Sequence, residues 1–253
     1  MPYRGLGAIA DKYDARDLIF EAQPRHFIGG VPPSVDMRNL CSPVRDQGHQ
    51  GSCTGFAIAV GLREFLENKT GDPQPMVELS PAFLYYQERD LEGNVGNCDA
   101  GAYIRDGMKV LTNVGVCPED DAPYTDQDCS EPSQDATDHA GQFKVRTYAR
   151  ITTLSGLKQA LAGGDGGVIG IQVYESFESP NAGHIPMPQP NEQLLGGHAL
   201  FCCGYQDDSG YEGGGYLIVK NSWGTGFGDE GYVYIPYAYV QPKLMSDIWT
   251  ASV

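Results

Sequence analysis

A chain of 253 residues, 41% apolar and with a formal net charge of −16, is long enough for one large domain or two packed lobes. The acidic balance excludes a surface rich in Lys and Arg, and with it nucleic acid as a partner; it fits a solvated surface and good solubility. The longest apolar stretches, such as 56–62 and 199–203, are too short to cross a bilayer, so no membrane is expected.

The N-terminal stretch MPYRGLGAIADKYDARD lacks the apolar core of a signal peptide, which leaves the compartment open. Residues 1–30 hold scattered charges, no sustained period and a closing Gly29-Gly30; they read as an N-terminal extension. The main domain is expected over 31–253, opening on the proline-marked VPPSVDMRN. The pattern over 52–69 predicts a helix that is apolar on most of its circumference and therefore deeply buried, with Gly71 as its stop. Ser80-Pro81 is a cap followed by proline in the first turn, and predicts a helix through Glu88. A further helix is predicted over 102–111, with Ile104, Met108 and Leu111 on one face.

The second half changes character. Segments 167–174, 199–205, 216–220 and 231–235 predict strands separated by Gly- and Asp-rich turns, and one short helix is predicted over 154–161. Helices first and strands second point to an α+β protein with two lobes. The seven cysteines are an odd number, so at least one thiol is unpaired in a monomer. No Cys-x-x-Cys or His-Glu-x-x-His occurs, so neither a metal site nor a cofactor is expected.

Three segments carry chemistry. In Gln47-Gly48-His49-Gln50-Gly51-Ser52-Cys53, a glycine-rich loop delivers a cysteine to the first turn of the buried helix. Free amides and the positive end of the helix dipole favour a thiolate there. Taken alone the segment leaves two readings open, a solvent-accessible nucleophile or an inert buried cysteine. A thiolate needs a base, and His198, in Gly197-His198-Ala199, stands at the mouth of an apolar strand. His26, His49, His139 and His184 lie in polar or Pro-rich stretches and read as surface loops, with His49 the rival base by nearness to Cys53. Finally, a strand ends at Lys220 and is followed by Asn221-Ser222-Trp223-Gly224. An amide there can accept a hydrogen bond from the imidazole and fix its tautomer, and an indole can shield that bond.

Together these three blocks resemble the signatures of the papain family of cysteine peptidases. Pro33–Arg38, Leu79-Ser80-Pro81, Cys98-Asp99-Ala100-Gly101 and Gly231-Tyr232-Val233 continue the likeness. The resemblance implies a two-lobed papain-like fold with a helical left lobe, an antiparallel β-barrel-like right lobe and an active-site cleft between them. It implies Cys53 as nucleophile, His198 as base, Asn221 as its orienting partner and Gln47 as an oxyanion donor beside the Cys53 backbone N–H. Cys53 and His198 would rest as a thiolate–imidazolium pair, attack a peptide or protein substrate and pass through an acyl-enzyme. Gly101, Ala102, Tyr103, Gly197 and Trp223 would bind substrate, although Ala102 and Tyr103 also read as helix packing. Family members are usually secreted or lysosomal, and many are zymogens.

Two departures stand out. The family places a cysteine three residues before the nucleophile, where this chain has Gln50, so Cys98 is expected to be free or differently paired. An aromatic residue usually follows the nucleophile, where this chain has Thr54. Two other readings are weighed beside the peptidase. One is a catalytically inactive papain fold that binds a partner. The other is a cysteine amidotransferase or hydrolase with a nucleophile elbow, which needs a buried strand before the cysteine. For residues 1–30 three readings stay open: blocking the cleft, packing without blocking, or a disordered tail. Ten extended residues span about 33 Å, enough to cross a cleft. Leu18, Ile19, Phe20, Phe27 and Ile28 are the expected docking side chains, with Gly29-Gly30 as a hinge.

Overall fold

The computed structural model describes residues 4–21 and 30–253. His26, Phe27, Ile28 and Gly29, expected above to be a loop histidine, docking residues and half of a hinge, lie outside the described residues.

The helical lobe is organised by one long helix. Cys53–Gly55, Phe56–Arg63 and Glu64–Thr70 run end to end as α1 and stop at Gly71, whose φ of 72° is the left-handed terminus a glycine adopts without a Cβ clash. Phe56, Ile58, Leu62, Phe65 and Leu66 are all buried, as the all-round apolar pattern requires. The middle of α1 is wound wider than an ordinary α-helix: the Glu64 N–H reaches back five residues to the Ala59 carbonyl. Helix α2 (Pro81–Leu91) starts where Ser80 Oγ accepts from the Phe83 N–H, and α3 (Ile104–Asn113) lies against it. Two shorter helices follow, α4 (Gln134–Ala140) and α5 (Leu154–Ala162), each capped by a hydroxyl, from Ser133 and Thr153. Glu64 is buried and accepts from the Leu79 N–H at 2.8 Å, tying α1 to the loop that leads into α2.

The strands are β1 (Ala8–Ile9), β2 (Ser34–Asp36), β3 (Ala102–Tyr103), β4 (Thr147–Arg150), β5 (Gly167–Tyr174), β6 (Leu194–Asp207), β7 (Gly215–Lys220), β8 (Tyr232–Pro236) and β9 (Met245–Ser252). Six of them form an antiparallel sheet in the order β4-β9-β5-β6-β7-β8, and β2 adds to β6. This is an open sheet with β4 and β8 at its ends, rather than a closed barrel. The four expected strands are β5 to β8. Strand β9 was not expected, because Asp247 interrupts its apolar run; in the fold that carboxylate is buried and held by Arg150 at 2.7 Å. Ala102 and Tyr103, expected to open a helix, form β3 instead and pair in parallel with β1.

The two lobes meet along α1 and β6. The Phe65 and Phe201 rings lie 5.2 Å apart across this junction. The buried Lys220, at the end of β7, donates to the Val60 carbonyl of α1 at 3.0 Å and to Ser42 Oγ at 2.8 Å. The N-terminus of α1 therefore faces the strand that carries His198.

Candidate active site

Cys53 opens α1. The Ser52 side chain does not cap the helix, so the first-turn amides keep free donors at the sulfur's end. The sulfur is not solvent-accessible, contrary to expectation: Cys53 is 0% exposed. Its Sγ accepts from the Ala199 N–H at 3.3 Å, and the backbone of Gly7 and Ala8 lies against it. Residues of the N-terminal extension thus cover the thiol. Burial pushes its pKa up to about 11.

His198 stands in β6 opposite Ile171 of β5. Its Nε2 lies 2.8 Å from Asn221 Oδ1, and the same Oδ1 accepts from the Ser222 N–H at 2.8 Å. Two donors on one atom identify it as the amide oxygen, so Nε2 carries the proton and Nδ1, which has no partner, is the basic nitrogen. The Trp223 ring stacks on the imidazole, with centroids 4.5 Å apart and planes at 21°. Burial lowers the His198 pKa to about 4. The covered site therefore favours a neutral thiol and a neutral imidazole, not the charged pair that the family resemblance implied.

Gln47 is buried beside them. Its Oε1 accepts from Ser222 Oγ, which turns Nε2 towards the cleft, where it donates to the Gln50 carbonyl at 2.9 Å and the Gly5 carbonyl at 3.2 Å.

Residues 4–11 run the length of the groove between the lobes. The Arg4 guanidinium lies 4.7 Å above the Phe227 ring centroid and 5.3 Å from that of Trp223, and donates to the Trp223 carbonyl. The Gly5 N–H donates to the Gly48 carbonyl, and the Ala102 N–H donates to the Gly7 carbonyl at 2.8 Å. A Cβ on Gly7 would come within 1.8 Å of the Gly51 carbonyl oxygen, and one on Gly5 within 2.0 Å of that of Gln50. Only glycine allows the backbone this close. The groove reciprocates: a Cβ on Gly101 would strike the Gly7 carbonyl at 2.3 Å and one on Gly197 that of Ala8 at 2.0 Å. Tyr103 pairs with Ile9. Gly101, Ala102, Tyr103, Gly197 and Trp223 thus all border the path of residues 4–9.

A charged clamp fixes the far end. The Asp11 N–H donates to Asp247 Oδ2, while its carboxylate accepts from Trp249 Nε1 at 2.8 Å and from the Arg105 N–H. Arg105 makes two hydrogen bonds to Asp17, at 2.9 and 2.8 Å, and Arg150 reaches both Asp17 and Asp247. Burial and the Asp247 charge raise the Asp11 pKa well above the ordinary carboxylate value. The expected docking side chains play a smaller part: Leu18 and Ile19 are 62% and 51% exposed, and Phe20 packs on the core at its margin. Most of the polar and backbone contacts come instead from Arg4, Gly5, Gly7, Asp11 and Asp17, which a search for apolar anchors passes over.

The other histidines stand elsewhere. His49 is exposed and paired with Asp126 at 2.8 Å, and His139 with Asp121 at 2.9 Å. His184 is no simple loop residue; it is partly buried among Tyr211, Tyr216 and Tyr234. Cys98 is bonded to Cys129. Gln50 stands by this bridge and donates to the Asp128 and Cys98 carbonyls at 3.1 and 3.4 Å, so an amide ties down the loop before Cys53. Thr54 Oγ1 donates to Glu88 Oε2 at 2.5 Å, and Glu88 is fully buried under the start of α1. No strand leads directly into Cys53, since residues 47–52 are turn, bend and irregular backbone; the nucleophile-elbow geometry is absent.

The sequence pattern of papain family cysteine proteases matches residues 31–247. A peptidase C1-like protein of Acanthamoeba polyphaga mimivirus is 34% identical over 97% of this chain and 86% of its own length. A cathepsin L-like peptidase of Aedes aegypti is also 34% identical over 80% of this chain, but the match spans only 58% of that protein. Among solved structures, xylellain, a cysteine protease from Xylella fastidiosa, superposes with a TM-score of 0.88 at 36% identity, covering 100% of this chain and 97% of that one. An α+β fold of this kind with these relatives defines a cysteine peptidase, a hydrolase acting on peptides or proteins. The chain belongs to the papain family.

Proposed function

We propose that Cys53 is the nucleophile of this peptidase, His198 its base, Asn221 the residue that orients the imidazole and Gln47 an oxyanion donor, and that residues 4–11 hold the enzyme in an autoinhibited state. The observation that carries the catalytic assignment is the His198 Nε2–Asn221 Oδ1 bond of 2.8 Å, which leaves Nδ1 free while Cys53 Sγ touches the next residue, Ala199. With the groove open, Nδ1 takes the thiol proton and the sulfur attacks the substrate carbonyl. Gln47 Nε2, now donating to the Gly5 carbonyl, and the Cys53 backbone N–H stabilise the oxyanion. His198 then protonates the leaving amine, and water releases the acid from the acyl-enzyme. Gly101, Ala102, Tyr103, Gly197 and Trp223 bind the peptide in the groove that the extension fills.

Residues 4–11 cover the site without acting as substrate. The backbone beside the sulfur is that of Gly7 and Ala8, and the Gly7 carbonyl accepts from the Ala102 N–H. Burial adds a second brake, because both partners of the proton transfer are held neutral. The test uses a chain beginning at Val31 and an epoxide inhibitor of cysteine peptidases. One equivalent should label Cys53, and labelling should stop hydrolysis of a peptide. Hydrolysis that survives Cys53→Ala would overturn the catalytic assignment. Equal labelling rates for the full and shortened chains would overturn the inhibitory one.

A further inference from the structure

The loop from Gln47 to Cys53 carries a proposed oxyanion donor at each end, the Gln47 amide and the Cys53 N–H. Such donors act only within about 2.7–3.1 Å of the developing charge, so the spacing of the two ends matters. The loop has no regular structure to set that spacing. What holds it comes from a distant stretch of chain, residues 124–128. The Asp126 carboxylate accepts from the His49 and Gln50 N–H groups at 3.1 and 3.0 Å, and the Asp128 carbonyl accepts from Gln50 Nε2 at 3.1 Å. These ties grip the middle of the loop. Its two ends are gripped by Tyr124. The Tyr124 ring stands edge-on to Phe56 of α1, with centroids 4.7 Å apart. Its N–H donates to Glu119 Oε1 at 2.8 Å, and Arg45 holds the same oxygen at 2.6 Å.

The Tyr124 hydroxyl lies 2.6 Å from the Gln47 carbonyl, 2.8 Å from Ser52 Oγ and 3.3 Å from Gln50 Oε1. A phenol has one proton to give. The Gln47 carbonyl and Gln50 Oε1 can only accept, so the proton goes to the nearer of them, the Gln47 carbonyl. Ser52 then donates to the Tyr124 oxygen, which is closer than its other acceptor, the Gln50 carbonyl at 3.5 Å. Burial raises the Tyr124 pKa, so the hydroxyl keeps its proton. One oxygen thus joins Gln47 to the residue that precedes the nucleophile. The remaining groups of Gln47 are held from the other lobe: its N–H donates to the Ser222 carbonyl at 2.9 Å, and its Oε1 accepts from Ser222 Oγ. Without the Tyr124 bond, Gln47 is free to pivot about these Ser222 contacts.

We propose that Tyr124 is a positioning residue of the oxyanion hole, whose hydroxyl sets the distance between Gln47 and Cys53 and so aligns the two donors. The proposal rests on the assignment of Gln47 as an oxyanion donor. Tyr124 acts through Gln47 and Ser52 and makes no contact of its own with the reacting atoms. Removing its hydroxyl takes the partner from the Gln47 carbonyl and lets the ends of the loop spread, while Asp126 and Asp128 still hold the middle.

The test uses the full chain and compares kcat on a peptide substrate. The extension competes with peptide for the groove, so it enters KM and leaves kcat at saturation unchanged. Tyr124→Phe keeps the ring on Phe56 and should lower kcat about tenfold, part of the roughly 10²–10³ that one oxyanion donor supplies. Added to Gln47→Ala, the same change should cost about twofold or less, because the donor it positions is already gone. An epoxide inhibitor should still label one equivalent of Cys53 in Tyr124→Phe, since the nucleophile and its base are untouched. Unchanged kcat in Tyr124→Phe overturns the proposal. So does a tenfold loss that repeats in full in the Gln47→Ala chain, or a loss of Cys53 labelling, either of which assigns Tyr124 to the stability of the lobe. Gln47→Ala with its kcat intact removes the oxyanion reading itself, and the role of Tyr124 with it.

Discussion

The imidazole of His198 is held between two residues that stand two apart in sequence: Asn221 bonds its Nε2 at 2.8 Å and Trp223 covers its face at 4.5 Å. Asn221 thus sets the tautomer and contributes no proton of its own. In a chain beginning at Val31, His198→Ala should abolish peptide hydrolysis, while Asn221→Ala should lower kcat and leave measurable turnover. Gln47→Ala should lower kcat by about 10²–10³, the usual loss for one oxyanion donor. A change confined to KM in Gln47→Ala would show that it only binds ground-state substrate.

The extension depends on glycines that allow backbone contact. Gly7→Ala would force a methyl to 1.8 Å from the Gly51 carbonyl, so residues 5–8 must lift away. Overpacking of this sort costs about 1–3 kcal/mol. The full-length Gly7→Ala variant should therefore gain roughly tenfold to a hundredfold in kcat/KM on a small peptide, approaching the chain that begins at Val31. Arg4→Ala should act in the same direction, through loss of the contact with Trp223 and Phe227. Unchanged kcat/KM in both variants would mean that the extension already vacates the groove in solution.

The clamp at Asp11 makes the cover pH-dependent. Its pKa is raised in the docked state and ordinary when the extension is free. Docking is therefore strongest when the carboxyl is protonated in both states, and weakens as pH rises from about 4 towards 7. The charges around it are Asp247 of β9, Arg105 of α3 and, one shell out, Arg150 and Asp17. The ratio of kcat/KM between the full chain and the chain from Val31 should rise with pH over this range. Asp11→Asn should flatten the dependence, and a dependence that persists there would assign it to another group.

Under the nucleophile, the buried Glu88 has its pKa pushed well above the ordinary value by desolvation, and its Oε1 has no partner. Burial thus favours its neutral form, and its Oε2 holds the Thr54 hydroxyl in place. Glu88→Gln keeps the shape and neutrality and should leave stability and kcat close to parental. Glu88→Ala strands the Thr54 hydroxyl and should cost about 1–3 kcal/mol in chemical denaturation. Equal losses in both variants would show that the carboxyl acts as a charge.

Much of this was legible in the amino-acid order. The helix from Cys53 betrayed itself by apolar residues on every side, and β5, β7 and β8 by β-branched runs between glycine turns. The likeness of three short blocks to one family singled out Cys53, His198, Asn221 and Gln47. The cover over the site was legible only as one of three readings for residues 1–30, and its contacts were not legible at all. Strands β1 and β3 have two residues each and no period to detect, and residues 5–8 dock through carbonyls and amides that every sequence possesses. Asp11 and Glu88 drew no notice because nothing local foretells burial: Asp11 is sunk among Trp249, Arg105 and Asp247, and Glu88 lies against the first turn of a helix some thirty positions earlier. The Cys98–Cys129 bridge was equally hidden, since cysteine positions alone leave pairings undetermined.

The sunken sulfur of Cys53 has a consequence for how such an enzyme is stored. A protonated thiol out of reach of water neither alkylates nor oxidises readily, because both reactions begin with an accessible thiolate. Under the proposed cover of residues 4–11, the protein would wait in an oxidising medium, beside other copies of itself, without digesting them or losing its reactive atom. Lifting those residues would expose the sulfur to substrate and to damage at the same moment, so working life would be counted from uncovering rather than from synthesis.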